Sequence, residues 1–486
     1  MAGLKVLFAT SEVAPLIKTG GLGDVSGALP AALRAIGVDV HILTPGYDQV
    51  IAQLAQHKIV ATFDALPGLP PARLLSGTMA NGVPLLALDC PGLYRRDGGP
   101  YQDASGQDWA DNALRFGLLS KVAAVLGCNE SPLDWRPDLV HCNDWQTGLA
   151  PAWLHFAHGA APSVFTIHNL AFQGIFPPET ANELHLPPSC FSIDGVEYYG
   201  NLSFLKAGLF YANHITAVSP NYAREIQKKP LGFGMQGLLA TRRDDLTGIL
   251  NGIDIDEWNP ATDPYLASKY SSTNMAGKAV NKEALQSRMG LSLDPDVPLL
   301  GVVSRLTHQK GLDLLVEIAP RLAGMPAQLA ILGTGEAPIE NAVRDLSHSY
   351  PGQIGAHIGF SEDLSHQIEA GADLFVMPSR FEPCGLNQLY SQRYGTPPIV
   401  HATGGLADSV VDCTTDTLKD GSASGFTFLG MTAANLFVTI QRAIGLYHDQ
   451  AKWKVLRRNC MAKDFDWQRS AAAYRTIYLK VLEQQK

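Results

Sequence analysis

A chain of 486 residues holds about two or three domains at the ~100–200 residues typical of each, which excludes a single small module. Hydrophobic residues make up 46% and charged residues 17%, enough apolar material for sizeable cores and too little charge for a disordered chain. The formal net charge of −9 argues against broad binding to nucleic acid or anionic membrane, which needs clustered Lys and Arg, so an anionic ligand has to be met by a local cationic pocket.

Residues 4–9 (LKVLFA) predict a buried strand, followed by a Gly-rich stretch and a helix over 22–36 that ends at Gly37. A second strand over 38–43 stops at Thr44-Pro45-Gly46, completing a βαβ unit. Further buried strands are predicted at 138–142, 163–168, 214–218 and 247–250, so the first half reads as an α/β domain with a largely parallel sheet. The stretch 251–264 (NGIDIDEWNPATDP) gathers Asn-Gly, Asn-Pro and Asp-Pro turn signals and is expected to be a linker. The pattern then restarts, with strands at 297–303, 328–332, 374–377 and 398–401 and helices at 311–322, 364–370 and 386–394. Thr-Gly-Gly-Leu occurs at 19–22 and again at 403–406, each time before a helix pattern. From Trp467 onward the pattern is helical, with Tyr474, Ile477, Tyr478 and Val481 on one stripe.

Seven scattered cysteines with no CxxC pair argue against a disulfide scaffold and a zinc ribbon. No apolar run reaches the length of a signal-peptide core or of a membrane span. A reducing, cytoplasmic setting is the expectation.

In open α/β sheets ligands sit beyond the carboxyl ends of strands, where loops enter helices. Three such loops carry charge. The first, Lys18-Thr19-Gly20-Gly21-Leu22-Gly23-Asp24, offers an anion cradle with Lys18 beside it, or a purely structural turn. It is no P-loop, and Gly21, Gly23 and Ser26 only approximate a dinucleotide fingerprint. The second, Ser304 to Gly311, carries Arg305 and Lys310, which either converge on a diphosphate or stand as two solvated cations. The third, SRFEPCGLNQ from Ser379, aims Glu382 at a sugar hydroxyl or a developing cationic carbon, or uses it to cap the next helix. His141-Cys142-Asn143-Asp144-Trp145 and Thr166-Ile167-His168-Asn169 follow strands in the same way. Trp145 and His168 are equally readable as core. A metal site from His141, Asp144 and His168 has no recurrent ligand spacing to support it. Asp254-Ile255-Asp256 reads as a turn.

Taken together, KTGGLGD, HCNDW, HNLAFQG, SRLTHQKGLDL, SRFEPCGLNQLY and TGGLAD resemble, in order and spacing, the bacterial glycogen synthases and their plant relatives, the starch synthases. The resemblance spans residues 5–478. It implies the glycosyltransferase-B architecture: an α/β fold of two Rossmann-like domains facing across a cleft. Residues 1–250 would form the first domain, 251–264 the linker, 265–465 the nucleotide-sugar-binding domain, and 466–486 a helix returning to the first domain.

The implied reaction is transfer of glucose from ADP-glucose to the non-reducing end of an α-1,4-glucan such as glycogen, with retention, using no cofactor and no metal. By the same resemblance, Lys18, Gly20 and Gly21 would bind the distal phosphate and sugar of the donor. Arg305 and Lys310 would hold the diphosphate, assisted by the N–H groups of Gly385 and Leu386. Glu382 would stand at the glucose, His168 near its hydroxyls, Asp144 and Trp145 along the glucose and acceptor side, and Asn251 at the cleft floor. Phe360 occupies a position where an aromatic often stacks on adenine. Asn387 stands where relatives often have Thr, which loosens donor assignments there, and Phe172 replaces a frequent Tyr. Neither nucleic acid nor membrane is expected as a partner.

Three other readings remain open at this point. A related transferase using UDP-glucose or another acceptor keeps every motif. A dehydrogenase, drawn from the glycine spacing and Asp39, leaves Arg305, Lys310 and Glu382 without a role. A non-catalytic glucan-binding protein keeps the fold without the chemistry.

Overall fold

The computed structural model describes residues 3–485. The chain divides into two compact units, one running up to Gly252 and including the segment from Trp467, the other spanning Ile253–Asp466.

The first unit is built on a nine-stranded sheet whose centre is the strand Lys5–Ala9. This strand pairs in parallel with Asp39–Pro45 on one side and Leu139–Asn143 on the other. Both of its faces are covered, so Val6, Leu7, Phe8 and Ala9 are all fully buried. That is the condition under which a strand reads as a continuous apolar run without alternation. Beyond Leu139–Asn143 the sheet continues in parallel through Ser163–Ile167, His214–Ala217 and Leu246–Gly248. On the other side Pro84–Asp89 pairs in parallel with Asp39–Pro45, and Ala72–Thr78 and Ala55–Phe63 add an antiparallel extension with two register shifts. The sequence pattern predicts no strand in this extension. Its outermost strand carries an exposed Ile59 and irregular pairing, so its hydrophobic pattern is that of neither a buried nor a regularly alternating strand. A small antiparallel sheet of Ile175–Phe176, Asn201–Ser203 and Glu197–Tyr198 is also present.

The helix Trp467–Glu483 belongs to this unit. Its stripe of Tyr474, Ile477, Tyr478 and Val481 joins Val25, Leu29 and Leu33 of the helix Gly21–Ala35 in one core. The Tyr478 hydroxyl lies 2.7 Å from His141 Nδ1 beneath it.

The second unit holds a six-stranded, wholly parallel sheet in the order Ile354–Ile358, Gln328–Gly333, Leu299–Val303, Leu374–Met377, Pro398–His401, Phe426–Phe428. In chain order this is 3-2-1-4-5-6, the doubly wound arrangement. Both outermost strands, absent from the sequence reading, are edges: one is only three residues long and the other is partly solvated. The segment opening this unit is folded into its core. Trp258 stacks at 3.7 Å on Tyr390 and at 3.9 Å on His366, and Asp254 closes a turn by accepting the N–H groups of Asp256 and Glu257. All seven cysteines are buried and free. Among the described residues, no helix is long and apolar enough to cross a membrane.

Candidate active site

Each sheet reverses its winding at one point, and there the loops leaving two adjacent strands diverge and open a crevice. In the first unit those strands are Lys5–Ala9 and Leu139–Asn143, and their loops carry Lys18 and Asp144. In the second they are Leu299–Val303 and Leu374–Met377, and their loops carry Arg305, Lys310 and Glu382. Lys18, Asp144, Arg305, Lys310 and Glu382 therefore all stand on switch-point loops.

In the first unit the glycine-rich loop is organised by a residue the sequence reading passed over. Glu12, 3% exposed, accepts the N–H of Thr19 at 2.5 Å, the Thr19 hydroxyl at 2.7 Å and the N–H of Gly20 at 3.3 Å, and also the hydroxyl of Tyr101. Lys18 pairs with Asp24 at 2.7 Å. The N–H of Gly23 closes on the Gly20 carbonyl at 3.1 Å, and with no side-chain cap on the helix Gly21–Ala35 the N–H groups of Gly21 and Leu22 are the ones turned to an anion. A Cβ at Gly20 would meet nothing within 4 Å, leaving the loop open there.

Asp144 sits at φ 55°, a conformation non-glycine residues rarely adopt. Its Oδ1 accepts the N–H groups of His168 at 2.7 Å and Asn169 at 3.3 Å, which locks the HNLAFQG loop to the HCNDW loop. Burial dominates over these bonds and raises the Asp144 carboxyl pKa to about 7. His168 Nε2 lies 2.9 Å from Asn143 Oδ1. Because the Asn143 amide nitrogen is spent donating to the Ala9 carbonyl at 3.0 Å, Asn143 Oδ1 accepts and Nε2 carries the proton. The Nδ1 is left as an acceptor. Burial lowers the His168 pKa to about 3, so the ring is neutral.

His141 has Tyr478 on Nδ1 at 2.7 Å and Thr166 on Nε2 at 2.6 Å; it is a core histidine, and it does not join Asp144 and His168 in a metal site. Trp145 belongs to an aromatic cluster with Phe116, Phe176 and Phe204 at 5.0 to 6.1 Å between centroids. Asn251 is buried, with Oδ1 lacking a hydrogen-bond partner.

In the second unit Lys310 Nζ contacts Glu382 Oε2 at 2.6 Å, with side chains only 18% and 7% exposed. Ser379 donates to the same oxygen at 3.0 Å. Arg305 is exposed, and its bond to Gln309 is long at 3.5 Å. Arg380, its neighbour in type, is instead committed to Asp313 through two bonds of 2.7 Å.

The Glu382 loop is held from behind by the second Thr-Gly-Gly-Leu. The Glu382 carbonyl accepts the Gly405 N–H at 3.1 Å, and a Cβ at Gly404, φ 46°, would lie 1.9 Å from that carbonyl oxygen. Only glycine permits this approach. Gly385 sits at φ 72° and Leu386 occupies the N-cap position of the short helix Asn387–Arg393, with no side-chain cap. The Asn387 amide donates to the Val303 carbonyl at 2.7 Å, tying the two switch-point strands' loops together. Phe360 is 82% exposed, a ring presented to solvent rather than packed in the core.

Two family models match the chain: the starch synthase catalytic domain over residues 5–241 and glycosyl transferases group 1 over residues 286–423. The chain is 58% identical to a glycogen synthase of Nitrosomonas eutropha, over 99% of this chain and 97% of that protein. It is 56% identical to a glycogen synthase of Nitrosospira multiformis, over 99% and 98%. The chain belongs to the glycogen synthase family. Among solved structures, the catalytic domain of starch synthase IV from Arabidopsis thaliana, bound to ADP and acarbose, matches with a TM-score of 0.87 and 31% identity over 99% of this chain and all of that one. A sucrose-phosphate synthase from Thermosynechococcus elongatus, at 16% identity and a TM-score of 0.61, shares the fold. As a family member the chain is a glycosyltransferase with two Rossmann-like domains.

The supports of this glycogen synthase family site were harder to read than its charges. Glu12 lies outside every motif yet holds Thr19 and Gly20 of the first loop, Ser379 opens its own motif and bonds Glu382 within it, and Gly404 matters for what it lacks. The repeat of Thr-Gly-Gly-Leu was the one available signal, and its two copies are used differently: the first is held by a carboxylate and the second holds the loop of one.

Proposed function

We propose that the chain transfers a glucosyl group from ADP-glucose to the non-reducing end of an α-1,4-glucan, with retention, in glycogen synthesis. The observation that carries this reading is the Lys310–Glu382 pair at the switch point of the second unit, with Arg305 exposed on the same loop. Breaking the bond between the anomeric carbon and the diphosphate puts negative charge on the departing nucleotide. Arg305 and Lys310 neutralise that charge, and the N–H groups of Gly385 and Leu386 assist them.

Glu382 is held by Lys310 and Ser379 through one oxygen. A carboxylate so compensated is a poor nucleophile and a good fixed charge. It stabilises positive character at the anomeric carbon while the acceptor hydroxyl attacks from the side of the leaving group and gives its proton to the departing phosphate oxygen. Phe360 offers its exposed ring to the adenine, with Asn387 bracing the loops beneath.

In the first unit, the Nδ1 of neutral His168 accepts from a glucose hydroxyl, and Asp144 fixes the His168 loop. Lys18, Gly20 and Gly21 contact the distal phosphate and sugar, and Trp145 and Asn251 shape the glucose and acceptor side. The family name of the relatives and the ADP held by the solved starch synthase support ADP-glucose as donor. A comparison of kcat/KM for ADP-glucose and UDP-glucose tests the choice. Preference for UDP-glucose overturns the adenine assignment and leaves the glycosyltransferase fold standing.

A further inference from the structure

Away from the switch point, helix Glu362–Gly371 of the second unit carries a histidine with no part in the transfer chemistry. His366 is 1% exposed and stacks on Trp258 at 3.9 Å with the rings 8° apart. Its Nδ1 lies 2.8 Å from Asp263 Oδ2, which also accepts the hydroxyl of Tyr394 at 2.5 Å. Asp263 is itself buried and anchored by the Tyr265 N–H at 2.9 Å. The ring is therefore fixed in position, with Nδ1–H donating to Asp263 and Nε2 facing Glu362; against the lowering effect of burial the two carboxylates raise its pKa to about 9, so an ion at Nε2 has to displace a proton.

That Nε2 is buried and has no hydrogen-bond partner. It points at Glu362, whose Oε1 is 3.6 Å away, too far for a hydrogen bond. Glu257 brings a third donor, and one ligand atom from each of Glu257, Glu362 and His366 lies within 4.8 Å of the others. Two donors held at ~2.1 Å from a tetrahedral zinc ion lie about 3.4 Å apart, so the His366–Glu362 separation is that of two ligands of one ion. The Asp263–imidazole arrangement is the outer-shell support that metal-bound histidines receive.

We propose that Glu257, Glu362 and His366 form a binding site for a divalent transition-metal ion of the zinc class, with Asp263 orienting the imidazole. Imidazole nitrogen with two carboxylates suits zinc or cobalt better than magnesium or calcium, which take oxygen. The exposed Glu257 leaves the fourth position to water. The ion is structural: it ties Glu257, on the segment that opens the second unit, to the helix that follows Phe360. The rival occupant of the same position is a proton shared between His366 and Glu362.

The test uses the untagged full-length protein, stripped with a chelator and titrated with Zn2+ by calorimetry and with Co2+ by visible absorption. The expected result is one ion per chain, tetrahedral cobalt bands, and a higher melting temperature with Zn2+. Glu257→Gln and Glu362→Gln should each weaken Zn2+ binding by at least ~tenfold and His366→Gln should abolish it. Glu257 is exposed, so its variant reports even where the His366 variant fails to fold. Folded wild-type protein that binds no Zn2+ overturns the proposal in favour of the proton, and binding unchanged in Glu257→Gln and Glu362→Gln overturns it by sending the ion elsewhere.

Discussion

Replacing Lys310 with Ala separates two roles that the same ammonium could play. Its Nζ lies 2.6 Å from Glu382 Oε2 in a pair whose side chains are 18% and 7% exposed. At an effective dielectric of ~20 the gross attraction at that distance is about 6 kcal/mol, most of it offset by desolvation. Truncating one partner strands the other, and losses of ~3–5 kcal/mol are typical of buried pairs. The remaining exposure of Lys310 and the Ser379 hydrogen bond place this one near the lower end. Turnover should fall by on the order of a hundredfold if Lys310 also neutralises the leaving diphosphate.

The double variant Lys310→Ala/Glu382→Gln removes the stranded charge, so its urea midpoint should recover most of the loss while its turnover does not. Stability is read by urea denaturation and turnover by nucleotide diphosphate release in the presence of glycogen. Recovery of turnover together with stability would overturn both roles, because it would leave Glu382 without a part at the anomeric carbon and Lys310 with none beyond neutralising Glu382. Arg305→Ala supplies the contrast. Arg305 is exposed with one 3.5 Å bond, so its loss should lower turnover on the order of a hundredfold and leave the midpoint within about 0.5 kcal/mol of wild type.

The Asp144 carboxyl, with its pKa raised to about 7 by burial, favours the folded state below the unfolded value near 3.8 and loses that contribution as the pH rises through about 7. Asp144→Asn should therefore raise the melting temperature relative to wild type at pH 8 and leave it little changed at pH 4; an equal effect at both would remove the burial argument. Gly404→Ala puts a Cβ 1.9 Å from the Glu382 carbonyl oxygen at φ 46° and should destabilise by more than ~1 kcal/mol with loss of turnover. Gly20→Ala, which meets nothing within 4 Å, should leave stability nearly unchanged, and thermal melts of both variants check the pair. Tyr478→Phe strips His141 Nδ1 of its 2.7 Å partner and should cost ~1–3 kcal/mol, read as a lower urea midpoint.

The parts of the fold that were legible in the sequence were those whose physics is local. The central strands are buried on both faces, so residues 4–9 and 297–303 stood out as apolar runs, and the glycine-bearing loops after them marked the switch points. The edge strands Ala55–Phe63, Ile354–Ile358 and Phe426–Phe428 did not, because an edge is specified by its neighbour and carries a mixed pattern.

The same division holds in the candidate site. Arg305, Lys310 and Glu382 are charges on short strand-to-helix loops and could be picked out one by one. That Lys310 chooses Glu382, that Arg380 chooses Asp313, and that Glu12 gathers Thr19 and Gly20 are decided by tertiary distances of 2.5 to 3.3 Å that no spacing encodes. The turn-rich stretch after Asn251 misleads for a related reason. Its Asn-Gly and Asn-Pro signals are real turns, yet Trp258 and Asp263 within it are anchored by Tyr390, His366 and Tyr394 from more than a hundred residues downstream.

Transfer of a glucosyl group from ADP-glucose to a glucan releases ADP and lengthens the glucan. It is tested most directly by incubating the purified protein with glycogen and either ADP-glucose or UDP-glucose, and following nucleotide diphosphate release and glucan growth in the same sample. The expected result is one ADP released per glucose added, growth that an α-1,4-specific glucanase reverses, and a clear preference for the adenine donor. Release without growth, or growth from UDP-glucose alone, would contradict it.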